Sequence, residues 1–338
     1  MKRTNIILAT LLAVSLLLTA CQNTSAPTSS SAAETSTAQE AEAPANPVAN
    51  DSGGEERVIG VILSTLNNPF FIHMKEQIEQ KAIELGYQVV VLDTADNPSQ
   101  ELTNMEDLIS KNVDGIILNA VDSDASSNCV KLANEAGIPV AEVDRLVNGG
   151  DMIAQFISDN YGGGKMAGEF AVDLLGGKGN VVIMRGYIGI TTDNDRYSGF
   201  ADVIKEYPDI KLISEQAADF DRTKGFETME NILQAEDDID LVYALNDEMA
   251  LGIIRAIESA NRTGIMVIGF DGSADGVQAI REGKMTATVA QQFGLMGRNA
   301  VEYIDMALNG NLPTMNDNVV RVPVSIVDET IAQNFVLN

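Results

Sequence analysis

Val58-Ile59-Gly60-Val61-Ile62-Leu63, followed at once by Ser64-Thr65-Leu66-Asn67-Asn68-Pro69, decides the fold. A short apolar run rich in β-branched side chains reads as a buried strand, and the polar stretch after it as the loop at its carboxyl end. Residues 70–85 then repeat their apolar side chains at helical spacing. The same unit recurs down the chain. Val89-Val90-Val91-Leu92, Gly115-Ile116-Ile117-Leu118 and Pro139-Val140-Ala141-Glu142-Val143 are the next strands, with helices over residues 100–111 and 124–136 between them. A second set of strands is expected at Val181-Val182-Ile183-Met184, Lys211-Leu212-Ile213-Ser214, Leu241-Val242-Tyr243-Ala244 and Met266-Val267-Ile268-Gly269-Phe270. Helices over residues 163–175, 196–205, 223–234 and 248–260 alternate with them. Such alternation specifies βα units on parallel sheets. About ten strands exceed one comfortable doubly wound sheet, so two α/β domains are expected, with a break near Ser158-Asp159-Asn160. No Gly/Ser-rich linker separates the halves, which implies short, ordered crossings.

The composition agrees. Of 338 residues, 45% are hydrophobic, enough to fill two medium cores. Lys and Arg number 22 against 49 Asp and Glu, and a net charge of −27 repels a phosphate backbone, so nucleic acid is not a partner. The N-terminus carries Lys2-Arg3, an apolar run from Ile6 to Leu18 and then Leu18-Thr19-Ala20-Cys21, the layout of an export signal over residues 1–20. That run is short for a transmembrane helix. Leu18-Thr19-Ala20-Cys21 resembles the lipobox of bacterial lipoproteins, in which Cys21 would be acylated. Residues 21–56 are dominated by Ser, Thr, Ala, Pro, Glu and Asn, the composition of a disordered tether. Cys129 has no intramolecular partner once Cys21 is acylated, so no disulfide framework is expected, and it reads as a small buried residue.

In open parallel sheets ligands bind beyond the carboxyl ends of the strands. The residues there are consistently polar: Ser64 to Asn68 after the first strand, then Asn119, Asp144-Arg145, Asn246-Asp247 and Asp271 after later ones. Any one of them could be a helix cap or a loop residue. Together, amides, carboxylates and arginine favour a polyhydroxyl ligand, because carboxylates accept two hydroxyl protons and arginine forks donate to adjacent hydroxyls.

Ser64-Thr65-Leu66-Asn67-Asn68-Pro69-Phe70-Phe71 is similar to the opening motif of the ribose-binding proteins, and further motifs follow in order. They are Asn119-Ala120-Val121-Asp122-Ser123-Asp124-Ala125, Val143-Asp144-Arg145, Ala218-Asp219-Phe220-Asp221-Arg222, Asn246-Asp247-Glu248-Met249-Ala250-Leu251-Gly252 and Val267-Ile268-Gly269-Phe270-Asp271-Gly272. The resemblance covers the body from about Val58 to the C-terminus. It implies a type I periplasmic-binding-protein fold: two Rossmann-like lobes with parallel sheets joined by a three-stranded hinge, with a sugar in the cleft between them. Residues 57–158 plus 292–320 would form one lobe, and 159–291 plus 321–338 the other. Polar contacts would come from Asn68, Asn119, Asp144, Arg145, Arg196, Asn246, Asp271 and Gln291. Phe70, Phe71 and Phe220 would stack on the ring, since apolar sugar faces lie well on aromatic ones.

Two segments depart from the family. Gln292-Phe293-Gly294-Leu295-Met296-Gly297 lacks the proline-containing turn more common there, and Arg185-Gly186-Tyr187-Ile188-Gly189-Ile190 is bulkier than usual, so that Tyr187 touches the sugar or narrows the cleft. The implied function is a lipid-anchored extracytoplasmic protein that hands a monosaccharide, D-ribose first among them, to an ABC transporter permease and its ATPase. Another pentose, a hexose or a signal sugar is the alternative ligand, and a chemoreceptor the alternative recipient. The expected state is a monomer.

Rival functions fare less well. A transcription-regulator core of the lactose-repressor family shares both lobes, but needs a helix-turn-helix where this chain has an export signal. An enzyme finds little support: His73 is the single histidine, and no G-x-S-x-G, H-E-x-x-H or Walker A pattern occurs. Asp144 and Asp271 could imitate a glycosidase pair, but their separation is not legible in sequence. No metal or cofactor is expected, because Cys129 and His73 stand alone and the carboxylates sit with arginines, which compete with a cation for the same oxygens. If Cys21 is the anchor, Cys21→Ser moves the mature protein from the membrane fraction to the soluble fraction; a variant that stays with the membrane would contradict it.

Overall fold

The computed structural model describes residues 57–337. The expected signal, the Cys21 lipidation site and the tether lie outside these residues. The chain forms β1 (Val58–Leu63), α1 (Pro69–Glu84), β2 (Gln88–Asp93), α2 (Pro98–Ser110), β3 (Gly115–Leu118), α3 (Ser126–Glu135), β4 (Val140–Val143) and β5 (Ala154–Ser158). It continues with α4 (Asn160–Leu175), β6 (Gly179–Arg185), α5 (Thr191–Ile204), β7 (Ile210–Ala217), α6 (Arg222–Ala235), β8 (Leu241–Ala244), α7 (Asp247–Ser259), β9 (Met266–Asp271), α8 (Ala274–Arg281) and β10 (Ala287–Ala290). Finally come α9 (Phe293–Leu308), β11 (Val319–Val322), β12 (Ser325–Asp328) and α10 (Glu329–Ala332).

Two six-stranded sheets result, ordered β11-β5-β4-β3-β1-β2 and β12-β10-β9-β8-β6-β7. The first is wholly parallel; the second is parallel except where β12 runs against β10. Each sheet starts outward from its first strand, then reverses, which opens a crevice at the carboxyl ends between β1 and β3 in one sheet and between β6 and β8 in the other. Strands such as Gly115–Leu118 and Leu241–Ala244 are buried throughout, as continuous apolar runs covered by helices on both faces must be.

Helix α9 follows a strand of the second lobe but packs on the first. Its Met296, Ala300 and Ile304, at helical spacing, join Phe70, Met74 and Ile78 of α1 in one core. Helix α4 does the reverse, leaving β5 for the second lobe and lying against α5. Gly164 makes that approach possible, since a Cβ there would overlap the backbone carbonyl of Arg196.

The lobes are joined by three crossings, at Ser158-Asp159, Gln291-Gln292 and Pro323-Val324. Because Val322 is still paired with Ser158 in the first sheet, the third crossing falls after residue 322 rather than after the expected 320. The crossings are tied to one another: Asp159 N donates to Val322 O at 2.9 Å, Ser158 Oγ to Gln291 Oε1 at 2.7 Å, and Gln292 Nε2 to Pro323 O at 2.8 Å. The Gln292 amide thus holds its neighbouring crossing directly, where the family more often has a proline turn.

One buried group has no bearing on the crossings but sets a stability trend. Glu142 on β4 is fully buried, and neither carboxyl oxygen has a hydrogen-bond partner among the described residues. Burial, reinforced by the neighbouring Asp144, pushes its carboxyl well above the ordinary 4.5. The folded state therefore keeps a proton that the unfolded chain releases, so this group's contribution is intact below about pH 4.5 and declines as the pH rises toward the folded value. Glu142→Gln removes that decline. The melting temperature of the variant relative to wild type should accordingly rise between pH 4 and pH 7, a trend read by thermal unfolding across that range; a pH-independent difference would contradict it.

Candidate functional site

The carboxyl ends of both sheets face one cavity, with about 300 Å³ of empty space lined by Asn68, Phe70, Phe71, Asp144, Arg145, Thr192, Arg196, Phe220, Asn246, Asp271 and Gln291. The first lobe supplies Asn68, the phenylalanine pair, Asp144 and Arg145. Asn68 is also the N-cap of α1, its Oδ1 accepting from Phe70 N at 2.9 Å, so the capping and lining roles coexist in one side chain. Phe70 and Phe71 meet edge to face at 5.2 Å, and Phe70 meets Phe293 of α9 at 5.5 Å. The pair belongs to the core and to the cavity wall together.

Asp144 follows β4 with a φ of 71°, which turns its side chain out of the sheet, and its backbone N–H is held by Phe156 O at 2.8 Å. Its Oδ2 lies 3.9 Å from Arg145 Nε. Its Oδ1 is buried and has no hydrogen-bond partner among the described residues. Arg145 is anchored through Nη1 to Ala120 O at 3.1 Å, and its guanidinium lies 5.3 Å over the Phe71 ring.

From the second lobe, Arg196 of α5 donates through Nε to Asn160 Oδ1 at 2.9 Å and through Nη1 to Leu245 O at 2.8 Å, while lying 3.8 Å over the Phe270 ring. Its Nη1 is 3.7 Å from Asp271 Oδ1, which also accepts from Gln291 Nε2 at 2.7 Å. Gln291 in turn receives the Ser158 hydroxyl, so one side chain links the site to the hinge. Asn246 caps α7 and donates to Phe220 O at 3.2 Å. Phe220, with a φ of 54°, lies flat against Gly186, where any Cβ would overlap its ring, and Tyr187 meets it edge to face at 5.9 Å.

One expected contact is corrected. Asn119 does not line the cavity: it is fully buried behind it, its Oδ1 accepting from Ser64 N and Oγ at 3.2 and 2.6 Å and its Nδ2 donating to Val143 O at 3.0 Å. Its amide joins the ends of β1, β3 and β4 and also reaches the Asp144 side chain, supporting the cavity from behind. One lining residue was missed. Thr192, in the first turn of α5, donates to Asp144 O at 3.4 Å across the cleft. Its only sequence signal is a hydroxyl residue just after the Gly186 to Ile190 loop. Tyr187 lies outside this cavity, in a chamber beside it.

The electrostatics follow from burial. Desolvation pushes the Asp144 carboxyl up, and Arg196 and Arg145 oppose it. Desolvation pushes Asp271 well up; Arg196 again opposes it, while Asp247 and Asp144 push it further. Two arginines and two carboxyls thus balance one another in a water-poor space, an arrangement suited to hydroxyls as both donors and acceptors. Neither His73 nor Cys129 is placed to act on a ligand in the cavity. His73 stacks on Phe293 and bonds Glu76 away from the cavity, and burial together with Glu101 pushes the Cys129 thiol up to about 12. Among the described residues no group of three or more His, Cys, Asp and Glu is placed to hold a metal ion, and no helix is long and apolar enough to cross a membrane.

Residues 59–312 match the model of the periplasmic binding protein domain. The ribose import binding protein of Salmonella typhimurium is 41% identical over 266 residues, 79% of this chain and 88% of its own length. The D-apiose import binding protein of Paraburkholderia graminis is 35% identical over 249 residues, 73% of this chain and 80% of its own. Among solved structures, an ABC transporter periplasmic solute binding protein from Actinobacillus succinogenes with bound D-allose superposes with a TM-score of 0.78 at 28% identity, covering 83% of this chain and all of the other.

Because Asn119 acts behind the cavity, Asn119→Ala should lower stability rather than merely affinity. It strands the Ser64 N–H and hydroxyl, each at about 1–3 kcal/mol, while the Val143 carbonyl still accepts from Arg145 N, so a loss of at least about 2 kcal/mol is expected in denaturant unfolding. A loss below about 0.5 kcal/mol would mean that its amide is not spent as described.

Proposed function

The chain belongs to the periplasmic binding protein family, and from that premise we propose that it is the sugar-capturing component of an ABC importer, closing on D-ribose between its lobes. The observation that carries this is the Asp144 Oδ1, buried with no hydrogen-bond partner among the described residues in a cavity whose other charges are matched and whose lining includes Phe70, Phe71 and Phe220. A sugar hydroxyl completes it. Asp144 and Asp271 accept from hydroxyls, Arg145 and Arg196 donate to them, Asn68, Asn246 and Gln291 do either, and Phe70, Phe71 and Phe220 cover the C–H faces. Each lobe holds half of these groups. A ligand bridging Asp144 with Arg196 and Asp271 therefore stabilises the closed form, and the tied crossings let the lobes move as bodies.

The choice of ribose rests on the ribose import relative at 41% identity. The apiose relative at 35% and the allose-bound neighbour make another pentose or a hexose the second reading, which a calorimetric screen of free monosaccharides separates. In this proposal the protein acts outside the cytoplasm, as a monomer held to the membrane by lipidated Cys21, and delivers its ligand to a permease driven by an ATPase. It carries out no reaction on the sugar.

The test is the calorimetric dissociation constant of D-ribose for Asp144→Ala, with circular dichroism showing that the variant is folded. Removing this carboxyl leaves buried guanidinium groups unmatched, at about 2–5 kcal/mol, or roughly thirty- to several-thousand-fold weaker binding. An exposed ion pair would be worth only about 0–1 kcal/mol. A folded variant within about threefold of wild type would remove Asp144 from the site.

A further inference from the structure

Beside the inner cavity lies a second chamber, with about 760 Å³ of empty space, walled by both lobes. It shares Asn68, Phe71, Arg145 and Phe220 with the inner cavity, so the two adjoin along one wall. Its own polar groups are of two kinds. The cations are committed: Arg222 donates to Glu248 at 2.7 and 2.9 Å and to Asp275 at 2.9 Å, and Lys224 donates to Asp219 at 2.7 Å. A phosphate or carboxylate on a ligand would have to displace these pairs.

The other groups suit hydroxyls. Asp96 Oδ1 is buried and has no hydrogen-bond partner among the described residues, although Arg145 stands 3.8 Å away. Tyr187 faces Asp96 from the opposite lobe, within reach of its carboxyl, and its phenol is pushed up to about 12 by burial and by Asp96 and Asp219, so it remains a donor at neutral pH that a ligand hydroxyl can bridge to Asp96. The Asn67 amide lies on the same wall and is exposed. A carboxylate acceptor, a phenol donor and an amide, beside Phe71 and Phe220, repeat the chemistry of the inner cavity in a roomier space.

We propose that this chamber is a second subsite, which takes a neutral hydroxylated substituent carried by a sugar seated in the inner cavity. The protein then captures glycosides as well as the free monosaccharide. The inference rests on the inner cavity being the sugar site. It also gives Tyr187 a role: the bulky residue does not touch the inner sugar but supplies the donor for what the sugar carries.

Calorimetry on the wild-type protein with D-ribose, methyl D-riboside and glyceryl D-riboside, the glycosides in both anomers, tests it. Glyceryl riboside of one anomer should bind about tenfold more tightly than the matching methyl riboside, the worth of one to two added hydrogen bonds. Tyr187→Phe, which keeps the ring against Phe220, and Asn67→Ala should each reduce that advantage severalfold while changing ribose affinity by less than about twofold. Ribose binding with no advantage for either glyceryl anomer overturns the second subsite and leaves the sugar-binding reading standing. Failure of all three ligands overturns that reading itself, and the subsite with it. Tighter binding of ribose 5-phosphate than of ribose would overturn the neutral class of the substituent.

Discussion

Two arginines and two carboxyls buried in one cleft are the constraint to which the rest of the structure answers. Removing such charges from water is expensive, and their mutual attraction offsets this only if nearly every remaining donor and acceptor is satisfied. Arg196 accordingly takes a side chain from α4, a carbonyl after β8 and the face of Phe270, and Arg145 takes Ala120 O and the face of Phe71. Asp271 takes Gln291, and through it the hinge. What is left over is specific: an oxygen of Asp144 and the guanidinium N–H groups of Arg145 and Arg196 not spent on Ala120, Asn160 and Leu245, which point at what the ligand must provide.

The same constraint explains where the backbone departs from comfortable conformations. Asp144, Asp219, Phe220 and Asp271 all have positive φ, at 71°, 50°, 54° and 133°, and none is glycine. Each costs on the order of 1–3 kcal/mol unless its surroundings hold it, and here the surroundings do: Phe156 O fixes Asp144, Asn246 fixes Phe220, and Gln291 and Arg196 fix Asp271. These four lie at or just after the carboxyl ends of strands β4, β7 and β9, where a doubly wound sheet presents ligands with side chains; the other non-glycine residues with positive φ, Ala95, Asp96, Asn112 and Asn261, lie outside the inner cavity.

Much of this was legible in the sequence because it is local. Apolar runs, the polar residue after each run and the helical periodicity between them located strands β1–β4 and β6–β9 and most of the cavity-lining positions. Non-local features were not. The residues of α9 do not by themselves say which lobe it covers, since an apolar stripe such as Met296, Ala300 and Ile304 fits either sheet; only the family resemblance placed residues 292–320 with the first lobe. Strands β10, β11 and β12 are four residues each and are defined by partners far away in sequence. Asn119 misled because an amide at a strand end looks the same whether it faces a ligand or bridges neighbouring strands, and its burial decides between them. Thr192 was passed over for the converse reason: an ordinary helix-start hydroxyl acquires its place only when the lobes face each other.

The central claim is that the matched charges between the lobes are a hydroxyl-binding site. A crystal structure of the protein soaked or grown with D-ribose tests it most directly. The account predicts one sugar ring in the inner cavity, with a hydroxyl within about 3 Å of Asp144 Oδ1, another within reach of Arg196 and Asp271, and Phe220 against a ring face. A ring bound elsewhere, or in the cleft with Asp144 Oδ1 still unbonded, would contradict it.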